Sequence, residues 1–280
     1  MRTELTSLAT FDAALSAEYA SVLCQLPDKP EAFVQRRFSE SRIFPTLGWA
    51  LIGVGDAQAL ATNDPALLHG TIVRFTKCAH ACWGWPGERG LHWGGVDYCA
   101  LVVPGLYSSL LGKSYLASVF QCGRSPSTMG HGALKHAANL MVCLACNTWP
   151  HKDKAIANAR SFALAKSNAK ADRAFVSFFL ALLEGNRPQV SQALVAFTEA
   201  YLKSDWGRHK PLTKPTFLQA MVVYASFYLS NSIDEQTHRT LLPAGRFELW
   251  KVYERRRAEF ERDPHLFVGP LSFLNDVAVH

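Results

Sequence analysis

The chain has 280 residues, 49% of them hydrophobic, which is enough for a sizeable core and excludes wholesale disorder. Its net charge of +6 and pI near 9.0 suit an acidic partner, but the basic residues are scattered except for Arg255-Arg256-Arg257, so nucleic acid ranks last among partners. Seven cysteines, an odd number without framework spacing, exclude a small disulfide scaffold and predict reduced thiols and a cytoplasmic location.

The N-terminal MRTELTSLATFDAAL holds Glu4 and Asp12 and lacks a continuous apolar region, so no signal peptide is expected there. Thr10 to Cys24 predicts a helix with Phe11, Leu15, Tyr19, Val22 and Leu23 on one side, closed by Pro27 and Pro30. Glu31 to Glu40 predicts a short charged helix, and Pro45 a break. Thr46 to Ala61 reads as a buried helix despite Gly53 and Gly55, although a glycine costs about 1 kcal/mol in a helix interior. Asp64-Pro65 starts the next helix, which runs through Leu68, Ile72, Phe75, Ala79 and Cys82. The stretch WGWPGERGLHWGG, residues 83 to 95, cannot continue it and reads as a loop. Val96 to Leu111, with Pro104 in its middle, predicts a kinked helix or two short ones. Tyr115 to Gln121 is a short apolar piece, and Gly123 to Gly130 a turn-rich break. Residues 131 to 147 predict an apolar helix with Leu134, Ala137, Met141 and Leu144 aligned, and Asp153 to Lys166 an alanine-rich amphipathic one.

Asp172 to Ser230 carries the clearest pattern, three helices with two short connections. Ala174, Phe175, Phe178, Phe179 and Leu182 make one apolar face, and Val190, Leu194, Phe197 and Tyr201 another. Gly185 stands where a helix end needs left-handed backbone, and Pro188 where the next helix would start. So short a connection makes the two helices antiparallel neighbours. Trp206 to Lys214 is a polar break, and Pro215 opens the third helix with Thr213 or Lys214 as its cap. Ser232 to Gly245 reads as a polar linker and Phe247 to Glu261 as a charged final helix. The longest apolar run, Phe217 to Ser230, contains Gln219 and is too short to span a bilayer. No run alternates with period two. The expected fold is all-α, a multi-helix bundle of stacked antiparallel helix pairs forming a single domain over residues 1 to 280. One loose internal echo relates residues 50 to 61 to residues 181 to 194.

Chemistry is sparse. Cys143-Leu-Ala-Cys146 is a C-x-x-C, but it lies near the end of an apolar helix, where the dipole does not lower a thiol pKa. Cys78, His80, Cys82, His131 and His136 are further metal-ligand candidates, against which stands the tendency of cysteine to pack as a small apolar side chain. Gly112-Lys113-Ser114 resembles the end of a phosphate loop, but Tyr107 occupies the position of the required first glycine. No catalytic constellation emerges, and no cofactor is expected. The tryptophan loop is the best binding candidate: Trp83, Trp85 and Trp93 surround Glu88, Arg89 and His92, residue types that anchor interfaces. Trp206, Arg208, His209 and Lys210 form a second cluster. Each cluster has a competing reading in which its rings cap the core. The Arg255 to Arg257 run reads as a solvated helix face.

The Asp172 to Ser230 stretch resembles the C-terminal part of the immunity protein 49 family. The matching features are Leu182, Leu183, Gly185 and Asn186, the last in place of a more usual aspartate. Ala193, Leu194 and Phe197 follow, then Trp206, His209 and Lys210, then the apolar Phe217 to Leu229. Leu241-Leu242-Pro243 stands where the family has a Leu-Pro ending. The resemblance implies an all-α, non-enzymatic protein that binds and neutralises a cognate bacterial toxin, the basic charge suiting an acidic contact surface. Two other classes compete with it. One is a metal- or thiol-dependent helical enzyme built on Cys143, Cys146, Cys78, Cys82 and a histidine. The other is a basic helical nucleic-acid adaptor.

Overall fold

The computed structural model describes residues 43–83, 102–112, 125–128, 130–206, 214–229, 235–242, 245–262, 267 and 274–275. These form ten helices, with no strand among the described residues, so the all-α expectation holds. Their contacts group into two compact units, residues 1–93 with 248–279, and residues 94–247. No helix among the described residues is long and apolar enough to cross a membrane. The predicted helices at Thr10 to Cys24 and Glu31 to Glu40 lie outside the described residues.

In the first unit α1 (Ile43–Thr62) and α2 (Pro65–Trp83) form a helical hairpin. Pro45 falls in the first turn of α1 and does not break it, because the opening amides of a helix have no intrahelical acceptor to lose. Ile52 and Ala59 on α1 are fully buried, as are Ile72 and Cys78 on α2. Gly55 sets the spacing: a Cβ there would lie 2.1 Å from Thr71 Oγ1, so only a glycine lets the two backbones come this close. The connection is a Schellman motif. Asn63 takes φ +53°, Asp64 N–H donates to Ala59 O (2.9 Å), and Asn63 N–H donates to Leu60 O (3.4 Å). Asp64 then caps α2, its Oδ1 accepting from the amides of Ala66 (2.9 Å) and Leu67 (3.1 Å). Within the same unit, His69 Nδ1 and the Tyr253 hydroxyl share a buried hydrogen bond of 3.2 Å.

The second unit holds α3 (Val102–Ser108), α4 (Gly132–Ala145), α5 (Lys152–Leu164), α6 (Lys170–Leu183), α7 (Arg187–Tyr201), α8 (Lys214–Tyr228) and α9 (Glu235–Leu241). The last helix, α10 (Arg246–Phe260), belongs to the first unit from Glu248 onward. Pro104 lies within α3, and the part of the Val96 to Leu111 expectation that precedes Val102 is outside the described residues. Helix α9 lies inside the stretch expected to be a linker. At seven residues it is too short to display a period, yet His238 and Leu241 turn inward. His238 hydrogen-bonds Gln219 of α8 at 2.8 Å, and Arg246 Nη2 donates to Thr216 Oγ1 at 3.2 Å. Asn139 of α4 pins the preceding segment, accepting from Ser127 N–H at 2.7 Å and donating to Ser127 O at 3.1 Å.

Gly55→Ala should destabilise the protein by about 1–2 kcal/mol, the overpacking outweighing the gain in helix propensity. Thr71→Ala, which removes the two clashing atoms Oγ1 and Cγ2, should recover most of that loss in the double variant. Urea melts of the four proteins measure both effects. Equal stability of Gly55→Ala and wild type would show that the helices are not held this close.

Candidate functional site

Helix α6 is the centre of the second unit and is buried on almost every side. Phe175 is its innermost ring, 5.2 Å from Phe179, 5.3 Å from Phe197, 4.8 Å from Trp206 and 5.9 Å from Phe217. Gly185 ends α6 at φ +64°, with Asn186 N–H donating to Ala181 O and Gly185 N–H to Leu182 O, both at 3.1 Å. The side chain of Asn186 accepts from Gln189 N–H at 3.1 Å and starts α7, with Pro188 in its first turn. Glycine, cap and proline therefore do what their positions in the sequence require. Val190, Leu194, Phe197 and Tyr201 are all fully buried against α6 and α8.

Trp206 is only 6% exposed. Its indole meets Phe197 (5.5 Å), Tyr201 (5.8 Å) and Phe217 (5.6 Å) edge-on or tilted, and its Nε1–H donates to Asp172 Oδ1 at 2.5 Å. His131 Nε2 lies 3.8 Å from the same oxygen. Of the two readings open for its cluster, Trp206 takes the core-capping one, and its ring is not presented to solvent. Arg208, His209 and Lys210 lie outside the described residues. Trp83 is the last residue of α2 rather than the first of a loop. Trp85, Glu88, Arg89, His92 and Trp93 lie outside the described residues.

Lys214 is a functional-looking cation with a structural task. Only 7% exposed, its Nζ donates to the carbonyls of Tyr201 (3.0 Å), Leu202 (3.3 Å) and Ser204 (2.6 Å) and lies 5.3 Å from the centre of the Tyr201 ring. A positive charge at the C-terminus of α7 satisfies carbonyls that the helix cannot and opposes the negative end of its dipole. The sequence offered Lys214 only as an alternative backbone cap for α8; its side chain closes the preceding helix.

Cys78, Cys143 and Cys146 are buried. Cys143 and Cys146 are not bonded to each other, since Cys143 is a free buried thiol whereas Cys146 is in a disulfide. The expectation of reduced cysteines thus fails at Cys146. Burial pushes the Cys143 thiol up to about 11 and raises that of Cys78 further, so both stay protonated at neutral pH. His136 packs 4.7 Å from the Phe162 ring, and its pKa is lowered by burial and secondarily by Lys135. Among the described residues no three His, Cys, Asp or Glu side chains come together as metal ligands. On α10, Arg256 pairs with Glu259 (2.9 Å) and Arg257 with Glu261 (3.5 Å), as a solvated face would.

A surface feature invisible in the sequence lies between α6 and α7. Ala174, Ser177 and Ala181 of α6 line one wall of a groove of about 350 Å³. Gln189, Gln192, Ala193 and Ala196 of α7 line the other. Small residues at i, i+3 and i+7 on one helix, facing small residues on its antiparallel neighbour, leave a channel where larger side chains would fill it. Lys170 pairs with Glu199 across the same two helices at 3.6 Å, and Arg160 of α5 pairs with Glu184 at the end of α6 at 3.0 Å. Arg173, next to Ala174 and one turn before Ser177, has a buried Nε with no hydrogen-bond acceptor.

Trp206→Ala should lower stability by about 3–5 kcal/mol, as loss of a buried aromatic does, whereas Trp206→Phe should lose less because the ring packing survives. Equal melting temperatures for wild type and Trp206→Ala would place the indole outside the core. Lys214→Met should cost about 2 kcal/mol by stripping the α7 carbonyls of a charged donor; unchanged chemical denaturation would rule the cap out. Comparison of the chain with family models, with curated proteins and with solved structures finds no match, so the site is read from its own residues.

Proposed function

We propose that this protein is an immunity protein: it binds a cognate bacterial toxin one-to-one and blocks it, without catalysis of its own. The observation that carries this reading is the run from α6 to α8, where the residues resembling the immunity protein 49 family pack as one aromatic-centred trio. Leu182 and Gly185 end α6, Asn186 caps α7, Leu194 and Phe197 fill the interface, and the apolar run from Phe217 forms α8. The polar groups inside the second unit also support a scaffold reading. Asp172 serves Trp206, Lys214 serves the end of α7, Gln219 serves His238, and Arg246 serves Thr216.

In this reading the segment Trp83 to Trp93 supplies aromatic anchors, with Glu88, Arg89 and His92 at their rim. Arg208, His209 and Lys210 remain as the second contact, Trp206 being used in the core. The basic balance of the chain favours a toxin with an acidic contact surface. A cytoplasmic site of action belongs to the same proposal; the Cys146 disulfide fits a reducing compartment poorly, which makes cell fractionation a useful second readout.

The test is co-expression with the toxin gene sought in the neighbouring reading frame. Cells should survive the toxin only when this chain is present, and the two proteins should co-elute at equal stoichiometry. Trp85→Ala should then weaken binding by at least about 2 kcal/mol with little change in melting temperature. Absence of both rescue and complex would refute the proposal.

A further inference from the structure

We draw no further inference here: the strongest candidate, the buried side-chain cluster of Thr216 and Gln219 on α8, His238 on α9 and Arg246 at the start of α10, belongs to the scaffold already described, its hydrogen bonds tying these helices to one another, and no feature beside it among the described residues points to a ligand or a partner.

Discussion

Phe175 has to stay dry, and much of the second unit is arranged to keep it so. Rings from α6, α7 and α8, together with Trp206, surround it at centroid distances of 4.8 to 5.9 Å. Each such aromatic pair adds about 0.5–1.5 kcal/mol beyond the area it buries. The arrangement constrains everything at its edge. Tyr201, fully buried in the cluster, ends α7, so that helix must finish where water has little access to its last carbonyls. A lysine drawn in from the start of α8 closes the gap. The Trp206 indole brings an N–H into the same region, and Asp172 accepts it. Packing thus dictates the polar contacts here.

The two helical hairpins reach their geometry by the same local device and by different packing. Ala59-Leu60 and Asn63-Asp64 of one junction correspond to Ala181-Leu182 and Gly185-Asn186 of the other. In each, the left-handed residue closes a Schellman motif and the next side chain caps the following helix. The loose echo of residues 50 to 61 with residues 181 to 194 is not this correspondence, since the first stretch lies inside α1 and the second spans the α6–α7 turn. Beyond the junctions the hairpins differ. Glycine at position 55 brings α1 hard against Thr71, whereas α6 and α7 mesh through phenylalanines on one side and leave a small-residue channel on the other.

Local signals were legible and long-range ones were not. Gly185, Pro188 and Asp64-Pro65 announce helix ends because each acts through its own backbone or its next turn. The inward faces of α6 and α7 follow from spacing alone, since Phe175, Phe179, Leu194 and Phe197 repeat along one side. Helix α9 was missed because seven residues with a buried histidine look like a polar linker until Gln219 is known to face His238. Trp206 and Lys214 look like surface residues in a polar stretch. Only the fold shows that the indole fills the cluster and that the ammonium reaches three carbonyls. The groove escaped notice for the opposite reason: alanines and glutamines carry no pattern until two helices set them face to face. Among the candidate contacts, the tryptophan-rich stretch beyond Trp83 falls outside the described residues.

The closing of α7 by a residue from α8 ties two successive helices together through a short stretch of chain. The α6–α7 hairpin joins its helices through contacts of short sequence separation, which form fast. Lys214 can reach the carbonyls of Tyr201, Leu202 and Ser204 only once the start of α8 has come in against the hairpin. Yet Lys214 is separated from these carbonyls by only 10 to 13 residues, a shorter span than that from Phe175 to Phe197 across the hairpin, so the clasp is itself a local contact and need not wait for the ring cluster.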